Sequence, residues 1–169
     1  MTADRTAVVI IASTRAATGV YPDRTGPVIA QWLISRGFTV RGPVVCADGP
    51  DVIRALRDGV GEGPGSTAAD LVITSGGTGI SPTDRTPQAT SMILDYDIPG
   101  LAAAIRAEGA DKVPTAVLSR GLAGVSGRTL VINLPGSTGG VRDGLAVLDR
   151  VLDHALDQLH GGDHAAGAH

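Results

Sequence analysis

The stretch Asp70-Leu-Val-Ile-Thr-Ser-Gly-Gly-Thr-Gly79 decides the fold of this 169-residue chain. Its first half is a continuous apolar run rich in β-branched residues, which is typical of a strand buried on both faces. Its second half carries glycine at three of the last four positions, so the backbone can turn sharply where the strand ends. Strands covered on both faces belong to largely parallel sheets with helices on either side. This stretch therefore predicts an α/β fold.

Segments on both sides extend this pattern along the whole chain. Four further apolar runs are predicted strands, at 7–12, 38–46, 115–118 and 129–133. Segments with apolar residues at helical spacing are predicted helices, at 26–35, 51–60, 86–94, 98–108 and 141–159. We expect Thr86 to cap its helix, with Pro87 at the first helical position. The alternation predicts a three-layer α/β/α architecture around a mostly parallel central sheet.

The composition describes one soluble globular domain, since 43% of residues are apolar, 18% are charged and the net charge is −3. We expect this domain to span 1–160 and the aperiodic segment 161–169 to be a disordered tail. The single cysteine, Cys46, excludes a disulfide framework and indicates a reducing, cytoplasmic location. No apolar run approaches the roughly 18 residues of a membrane helix. Mild acidity and a mere four aromatic residues argue against a nucleic-acid binder.

The polar loop that follows the central strand predicts an anion-binding site. Its residues are Thr74, Ser75, Gly76, Gly77, Thr78 and Gly79. Glycines let ligand oxygens approach backbone N–H groups, and the helix expected from Thr86 points its positive end toward the same place. Phosphate is the favoured anion, and a tight turn without a ligand is the alternative. Asp84 follows closely, and a carboxylate beside a phosphate favours Mg²⁺ between the two. The alternative for Asp84 is a helix cap.

Other polar residues also follow predicted strands. Ser119 and Arg120 come after the predicted strand 115–118, and Arg120 can pair with a phosphate as a charged fork. A surface arginine over a flexible loop is the alternative. Ser13 follows the first strand, and Asp48 lies between the second strand and the next helix. Asp48 is either a site residue or a turn residue before a Gly-Pro pair.

A last candidate segment follows the predicted strand 129–133. Asn133 ends that strand, and a polar side chain there needs partners, which are either backbone groups or a ligand. Pro135 and Gly136 form a turn. Ser137 or the next residue is expected to cap the last helix, whose free N–H groups could bind another anion. Capping alone would also explain the Ser137 hydroxyl.

Five segments together resemble the molybdenum-cofactor biosynthesis family of Mog and MoaB proteins, also seen as the gephyrin G domain. They lie at 74–79, 84–89, 99–100, 114–120 and 133–137, and the resemblance covers about residues 6–160. It implies a three-layer α/β fold and a homotrimer. It also implies adenylylation of molybdopterin with Mg-ATP, with release of pyrophosphate. This step prepares the dithiolene for metal insertion, so the molybdenum-insertion enzyme is an implied partner.

The resemblance also implies roles for individual residues. Asp84 matches the functional aspartate of a motif usually written Arg-Asp-Val-Thr-Pro, although Thr83 and Arg85 replace its neighbours here. Asp48 matches a second functional aspartate, with altered neighbours as well. We expect Asp48 and Asp84 to bind or align Mg²⁺ and the loop 76–79 to hold phosphate. Ser119, Arg120 and the turn 135–137 are expected to bind the pterin and its phosphate.

Two alternatives to the enzyme remain open. The altered neighbours of Asp84 are compatible with a MoaB-type protein that binds the pterin without efficient transfer. The same fold also serves as a trimeric scaffolding module in gephyrin. The two retained carboxylates favour the enzyme, because an assembly role needs an apolar face and not two acids after strands.

Overall fold

A computed structural model describes residues 4–162 and shows a six-stranded sheet between two layers of helices. The strands are β1 Thr6–Ala12, β2 Thr39–Cys46, β3 Leu71–Ser75, β4 Tyr96–Asp97, β5 Ala123–Ser126 and β6 Thr129–Leu134. The helices are α1 Thr14–Ala17, α2 Thr25–Ser35, α3 Pro50–Gly59, α4 Thr86–Ile93, α5 Pro99–Ala110 and α6 Thr138–Leu159. A 3₁₀ helix spans Pro114–Leu118.

The sheet order is β2-β1-β3-β6-β5-β4. The first four strands of this order are parallel, whereas β5 pairs antiparallel with both β6 and β4. Helices connect the parallel strands, as parallel neighbours require a crossover. The structure thus confirms the predicted three-layer fold with a mostly parallel sheet.

Alternation along the strands divides the apolar side chains between two cores. In β1, Val9 and Ile11 face one side of the sheet and Val8 and Ile10 face the other. The first core is closed by α2, α5 and α6, and the second by α3 and α4. Because both faces of β1 and β3 are covered, residues 7–12 and 71–73 are apolar without interruption.

The strand predicted at 115–118 is wrong, because this segment lies in the 3₁₀ helix. Its apolar side chains are exposed, with Val117 at 62% and Leu118 at 49%, so the run belongs to no buried strand. The strand in this region is β5, which is not among the strands predicted from the sequence. Gly124 of β5 must lack a side chain, since a Cβ there would lie 2.5 Å from the carbonyl oxygen of Tyr96 in β4.

The predicted helices are present, with boundaries shifted by up to three residues. Thr86 is the first residue of α4 and not its cap; the cap position is Arg85, which makes no side-chain capping bond. At the end of α6, the Gly162 N–H donates to the carbonyl of Asp157 at 2.8 Å. The rest of the expected tail, 163–169, lies outside the described residues. Within 4–162, no helix has the length and apolarity needed to cross a membrane.

Truncating the centre of the sheet should cost much more stability than truncating its periphery. Ile73 in β3 is fully buried, whereas Ile34 in α2 is 61% exposed. We expect Ile73→Ala to lower the free energy of unfolding by about 2–5 kcal/mol, since it leaves a cavity. Ile34→Ala should stay within about 0.5 kcal/mol. Urea unfolding of both variants checks this, and equal losses would contradict the described core.

Candidate functional site

The register of the parallel strands brings four strand ends to one edge of the sheet. Ala12 of β1 pairs with Cys46 of β2, and Ile11 pairs with Ser75 of β3. Ser75 in turn pairs with Leu134 of β6. The segments that follow these strands therefore leave the sheet side by side, which is where α/β proteins bind ligands.

A cleft of about 860 Å³ opens at this edge. It is lined by residues from all four strand exits and from the segment before α4. Eight of the predicted site residues line it: Ser13, Asp48, Ser75, Gly76, Gly77, Asp84, Gly136 and Ser137. The structure thus brings the two predicted carboxylates to one cavity, together with the first glycines of the loop.

The glycine loop turns into the cleft because two of its residues have left-handed backbones. Gly76 has φ +93° and Gly77 has φ +66°. A Cβ at Gly76 would collide with the carbonyl oxygen of Ala12, and one at Gly77 would collide with the Thr86 hydroxyl. The Gly76 N–H donates to the carbonyl of Leu134 at 3.1 Å. Glycine is therefore required at both positions by conformation and by space.

Asp48 is held at the cleft by a hydroxyl from the neighbouring segment. The Thr14 hydroxyl donates to Oδ2 of Asp48 at 3.2 Å, and its oxygen accepts from the Asp48 N–H, also at 3.2 Å. The helix that follows begins with Gly49 as its cap residue, so the Asp48 side chain does not cap α3. The carboxylate therefore bridges two strand exits and is more than a local turn residue.

Asp84 lies in the turn that leads into α4. Its Oδ2 atom accepts from the Ser81 N–H at 3.2 Å, and its own N–H donates to the Ser81 carbonyl at 2.9 Å. Since Arg85 occupies the cap position of α4, the Asp84 carboxylate does not serve as a helix cap. This short turn places Asp84 in the wall of the cleft.

Arg120 braces the glycine loop. Its Nε donates to the carbonyl of Gly79 at 2.8 Å, and its Nη2 donates to the carbonyl of Asp84 at 2.7 Å. Its backbone N–H donates to the carbonyl of Thr78 at 2.8 Å. The guanidinium thus fixes both ends of the turn between the glycine loop and α4. The sequence predicts a phosphate contact for Arg120 and not this bracing role.

Ser119 and Arg120 do not line the cleft. They line a separate pocket of about 280 Å³ together with Arg106, whose Nη1 donates to the carbonyl of Gly121 at 3.0 Å. The sequence predicts a strand before these two residues, but they follow the 3₁₀ helix. The residues expected to bind the pterin are thus divided, since Gly136 and Ser137 lie in the cleft.

Thr74 and Asn133 belong to a buried network beneath the loop. The Asn133 amide donates to the hydroxyls of Thr74 and Thr90, each at 2.9 Å, and its Oδ1 accepts from the Leu122 N–H at 3.0 Å. Asn133 is 3% exposed, so these protein groups are its partners. Asn133 therefore supports the site from beneath the loop. The sequence alone does not decide whether its partners are backbone groups or a ligand.

The serines of the predicted set each make a defined contact. Ser13 accepts from the Ala16 N–H and caps α1, and Ser137 accepts from the Gly140 N–H and caps α6, both at 3.1 Å. The capping role predicted for Ser137 is therefore confirmed. The Ser75 hydroxyl is hydrogen-bonded to the carbonyl of Pro135 at 2.8 Å. Pro135 thereby links the ends of β3 and β6.

Several residues of the cleft wall are not among the predicted site residues, and Thr14 and Tyr21 are two of them. Thr14, which holds Asp48, gave no signal because a single threonine after a strand is common. Tyr21 is 55% exposed and lines the cleft, with the guanidinium of Arg15 at 5.7 Å from its ring centre. An exposed aromatic ring beside an arginine could have been noticed, since a planar ligand can stack on it.

Cys46 ends β2 but does not line the cleft. Burial raises the pKa of its thiol, and the nearby Asp51 carboxylate raises it further. The thiol is therefore protonated at neutral pH, and it is a poor nucleophile or metal ligand.

The carboxylates of Asp48 and Asp84 are compatible with a metal ion that takes its remaining ligands from the substrate. Within residues 4–162, no three His, Cys, Asp or Glu side chains cluster as a metal site. Mg²⁺ is commonly bound through one or two carboxylates plus substrate phosphates, so Asp48 and Asp84 suffice for it. The Oδ1 atom of Asp48 is buried without a partner among the described residues, so this carboxylate keeps bonding capacity that the free protein does not use.

Comparisons with known proteins show the family of this chain. The family model for a probable molybdopterin binding domain matches residues 8–154, and the chain belongs to this family. A molybdopterin adenylyltransferase of Helicobacter pylori strain J99 is 34% identical over 159 residues, covering 90% of this chain and 86% of that protein. The structure of a molybdopterin biosynthesis Mog protein from Mycobacterium ulcerans superposes with a TM-score of 0.87 at 57% identity, covering 95% of this chain and 99% of that one.

A longer relative shares only this domain. A molybdenum cofactor biosynthesis bifunctional protein of Synechococcus elongatus is 36% identical over 159 residues, which cover 94% of this chain and 48% of that protein. The chain therefore spans about half the length of this curated relative.

Removing the Arg120 brace should destabilise the protein. Arg120→Ala leaves the carbonyls of Gly79 and Asp84 without their donors, so we expect a loss of about 1–3 kcal/mol in the free energy of unfolding. Arg120→Lys should recover only part of it, because one ammonium group does not reproduce the planar fork. The control is Arg128→Ala, which truncates an exposed arginine in the β5–β6 turn. Equal unfolding midpoints in urea for both alanine variants would rule out the bracing role.

Proposed function

We propose that this chain is a molybdopterin adenylyltransferase, which transfers AMP from ATP to molybdopterin and releases pyrophosphate. The observation that carries the proposal is the shared cleft of Asp48, Asp84 and the glycine loop at the carboxyl ends of the parallel strands. The Helicobacter pylori relative is named as such an enzyme, and its match covers most of this chain and most of that protein, which supports the proposal.

The cleft supplies what a triphosphate needs. The Gly76 N–H is already used within the protein, so the amides offered to phosphate oxygens begin at Gly77. α6 begins at Thr138, which lines the same cleft and whose N–H has no partner within the helix. Asp48 and Asp84 would hold Mg²⁺ against the phosphates, and the cation would neutralise charge that develops on them.

The transfer itself asks little covalent chemistry of the protein. A phosphate oxygen of molybdopterin attacks the α-phosphorus of ATP, forming a new P–O bond. The bond between the α-phosphorus and the bridging oxygen to the β-phosphorus breaks, and its electron pair leaves with pyrophosphate. The residues of the cleft bind, orient and stabilise charge, which accounts for most of the catalysis in such reactions.

We assign the pterin and its phosphate to the pocket of Ser119, Arg120 and Arg106 and to the turn at Gly136 and Ser137, which lies in the wall of the cleft. Two arginines give this pocket the positive charge that a phosphate requires. Arg120 also contacts the carbonyl groups of the glycine loop, so it lies between this pocket and the cleft. The adenylylated product would pass to the molybdenum-insertion enzyme. We place the reaction in the cytoplasm, on the basis of the single unpaired cysteine.

A second candidate is a MoaB-type protein that binds the pterin without efficient transfer. The observation in its favour is the surroundings of Asp84, where Thr83 and Arg85 flank the carboxylate and Arg120 is bound to carbonyl groups. Production of pyrophosphate from molybdopterin and Mg-ATP by the purified protein distinguishes the enzyme from this binder.

Asp84→Asn should abolish transfer without unfolding the protein. The carboxylate makes one hydrogen bond to a backbone N–H, which an amide oxygen can also accept, so the fold should persist. We expect the rate of pyrophosphate release to fall about 100-fold or more, because charge stabilisation at the phosphates is lost. Molybdopterin binding should remain. The matched control is Asp111→Asn, which changes an exposed carboxylate at the end of α5. Wild-type turnover in Asp84→Asn would show that the metal role is wrong.

We also propose that the chain forms a homotrimer. Three apolar side chains are exposed: Ile80 directly after the glycine loop, and Val117 and Leu118 in the 3₁₀ helix. A hydrogen bond from the Arg120 N–H to the Thr78 carbonyl joins these two segments. Contiguous exposed apolar patches mark interaction surfaces, and we propose that these three side chains belong to one. Light scattering should give three times the chain mass of 17.0 kDa, and Val117→Asp should lower it. A wild-type mass of one chain at micromolar concentration would refute the trimer.

A further inference from the structure

Two buried oxygen atoms beside the cleft have no hydrogen-bond partner among the described residues. They are Oδ1 of Asp48 and Oγ1 of Thr86. Thr86 is 1% exposed, so water does not compensate its hydroxyl. Both atoms face Gly77, since a Cβ at that glycine would lie 3.0 Å from Oδ1 and would collide with Oγ1. Native proteins satisfy nearly all such groups, so each exception needs an explanation.

The two atoms are chemically complementary. The Thr86 hydroxyl can donate a proton, and a carboxylate oxygen can only accept one. The other oxygen of Asp48 already accepts from the Thr14 hydroxyl at 3.2 Å. Asp48 therefore lies between two threonine hydroxyls, one engaged and one unused.

Thr86 reaches the cleft only through its neighbours. It is the first residue of α4, and its N–H donates to the carbonyl of Gly77 at 3.1 Å. Gly77 and Asp48 line the cleft, whereas Thr86 does not. A direct contact between the Thr86 hydroxyl and a ligand is thus excluded in this conformation, and any role in binding acts through Asp48 or Gly77.

We propose that Thr86 is a positioning residue for Asp48: when a magnesium-bound triphosphate occupies the cleft, its hydroxyl donates to Oδ1 and orients the carboxylate toward the cation. This inference rests on the proposed function. Hydrogen bonds to ligating carboxylates fix their orientation and tune metal affinity, and their loss commonly costs tenfold or more. The unpaired atoms in the free protein are then a destabilised state that ligand binding relieves.

The test replaces the hydroxyl without changing the shape of the side chain. Thr86→Val substitutes a methyl group, and Thr86→Ser keeps the hydroxyl. We measure the dissociation constant for Mg-ATP and for ATP in EDTA by calorimetry, and the melting temperature of the free protein. Thr86→Val should weaken Mg-ATP binding about tenfold, as expected for a lost hydrogen bond to a charged group. It should leave ATP binding in EDTA unchanged, and Thr86→Ser should bind Mg-ATP like the wild type.

The melting temperature separates positioning from a structural role. Thr86→Val removes no bond made in the free protein, so its melting temperature should stay equal or rise. Thr14→Val removes bonds that are made, so its melting temperature should fall. Wild-type Mg-ATP affinity in Thr86→Val would overturn the inference while leaving the proposed function intact, as would a melting-temperature loss as large as that of Thr14→Val. A wild-type protein that binds no Mg-ATP would overturn both.

Discussion

The backbones of β1, β3 and β6 meet so closely at residue 76 that no side chain fits there. A Cβ on Gly76 would collide with the Ala12 carbonyl oxygen at the end of β1, and a Cβ on Gly136 would lie 3.3 Å from the Gly76 Cα atom. This contact depends on the in-step register of the parallel strands. It forces the chain after β3 into a left-handed turn, and that turn places Gly77 and the start of α4 beside Asp48.

The surroundings of this contact are built to keep it rigid. Asn133 joins β6 to the strand and helix on either side of the glycine loop, and Arg120 joins the loop to the turn that carries Asp84. The backbone of the site is thus held by side-chain hydrogen bonds, whereas the side chains of Asp48 and Thr86 each have a buried oxygen without a hydrogen-bond partner among the described residues. Under the proposed function, such a preorganised cleft would favour phosphate transfer, because binding of the substrate would then demand little rearrangement.

The sequence predicts those parts of the molecule that repeat a strong local pattern. The buried parallel strands and the long amphipathic α6 follow from continuous or periodic apolar residues, and the loop after β3 follows from its glycines. The strand β5 could not be predicted, because the close approach of β4 excludes a side chain at Gly124, and this glycine interrupts the apolar pattern typical of a strand. The brace by Arg120 and the contact of Thr14 with Asp48 join residues far apart in the chain, and local pattern carries no information about such pairs.

The most direct test of the cleft as a nucleotide site is a crystal structure of the protein with Mg²⁺ and an ATP analogue whose α,β-bridging oxygen is replaced by methylene. We expect the triphosphate at Gly77, with the cation between it and the carboxylates of Asp48 and Asp84. Density for the triphosphate at the opposite edge of the sheet, in the cavity lined by Asp70 and His160, would contradict the account.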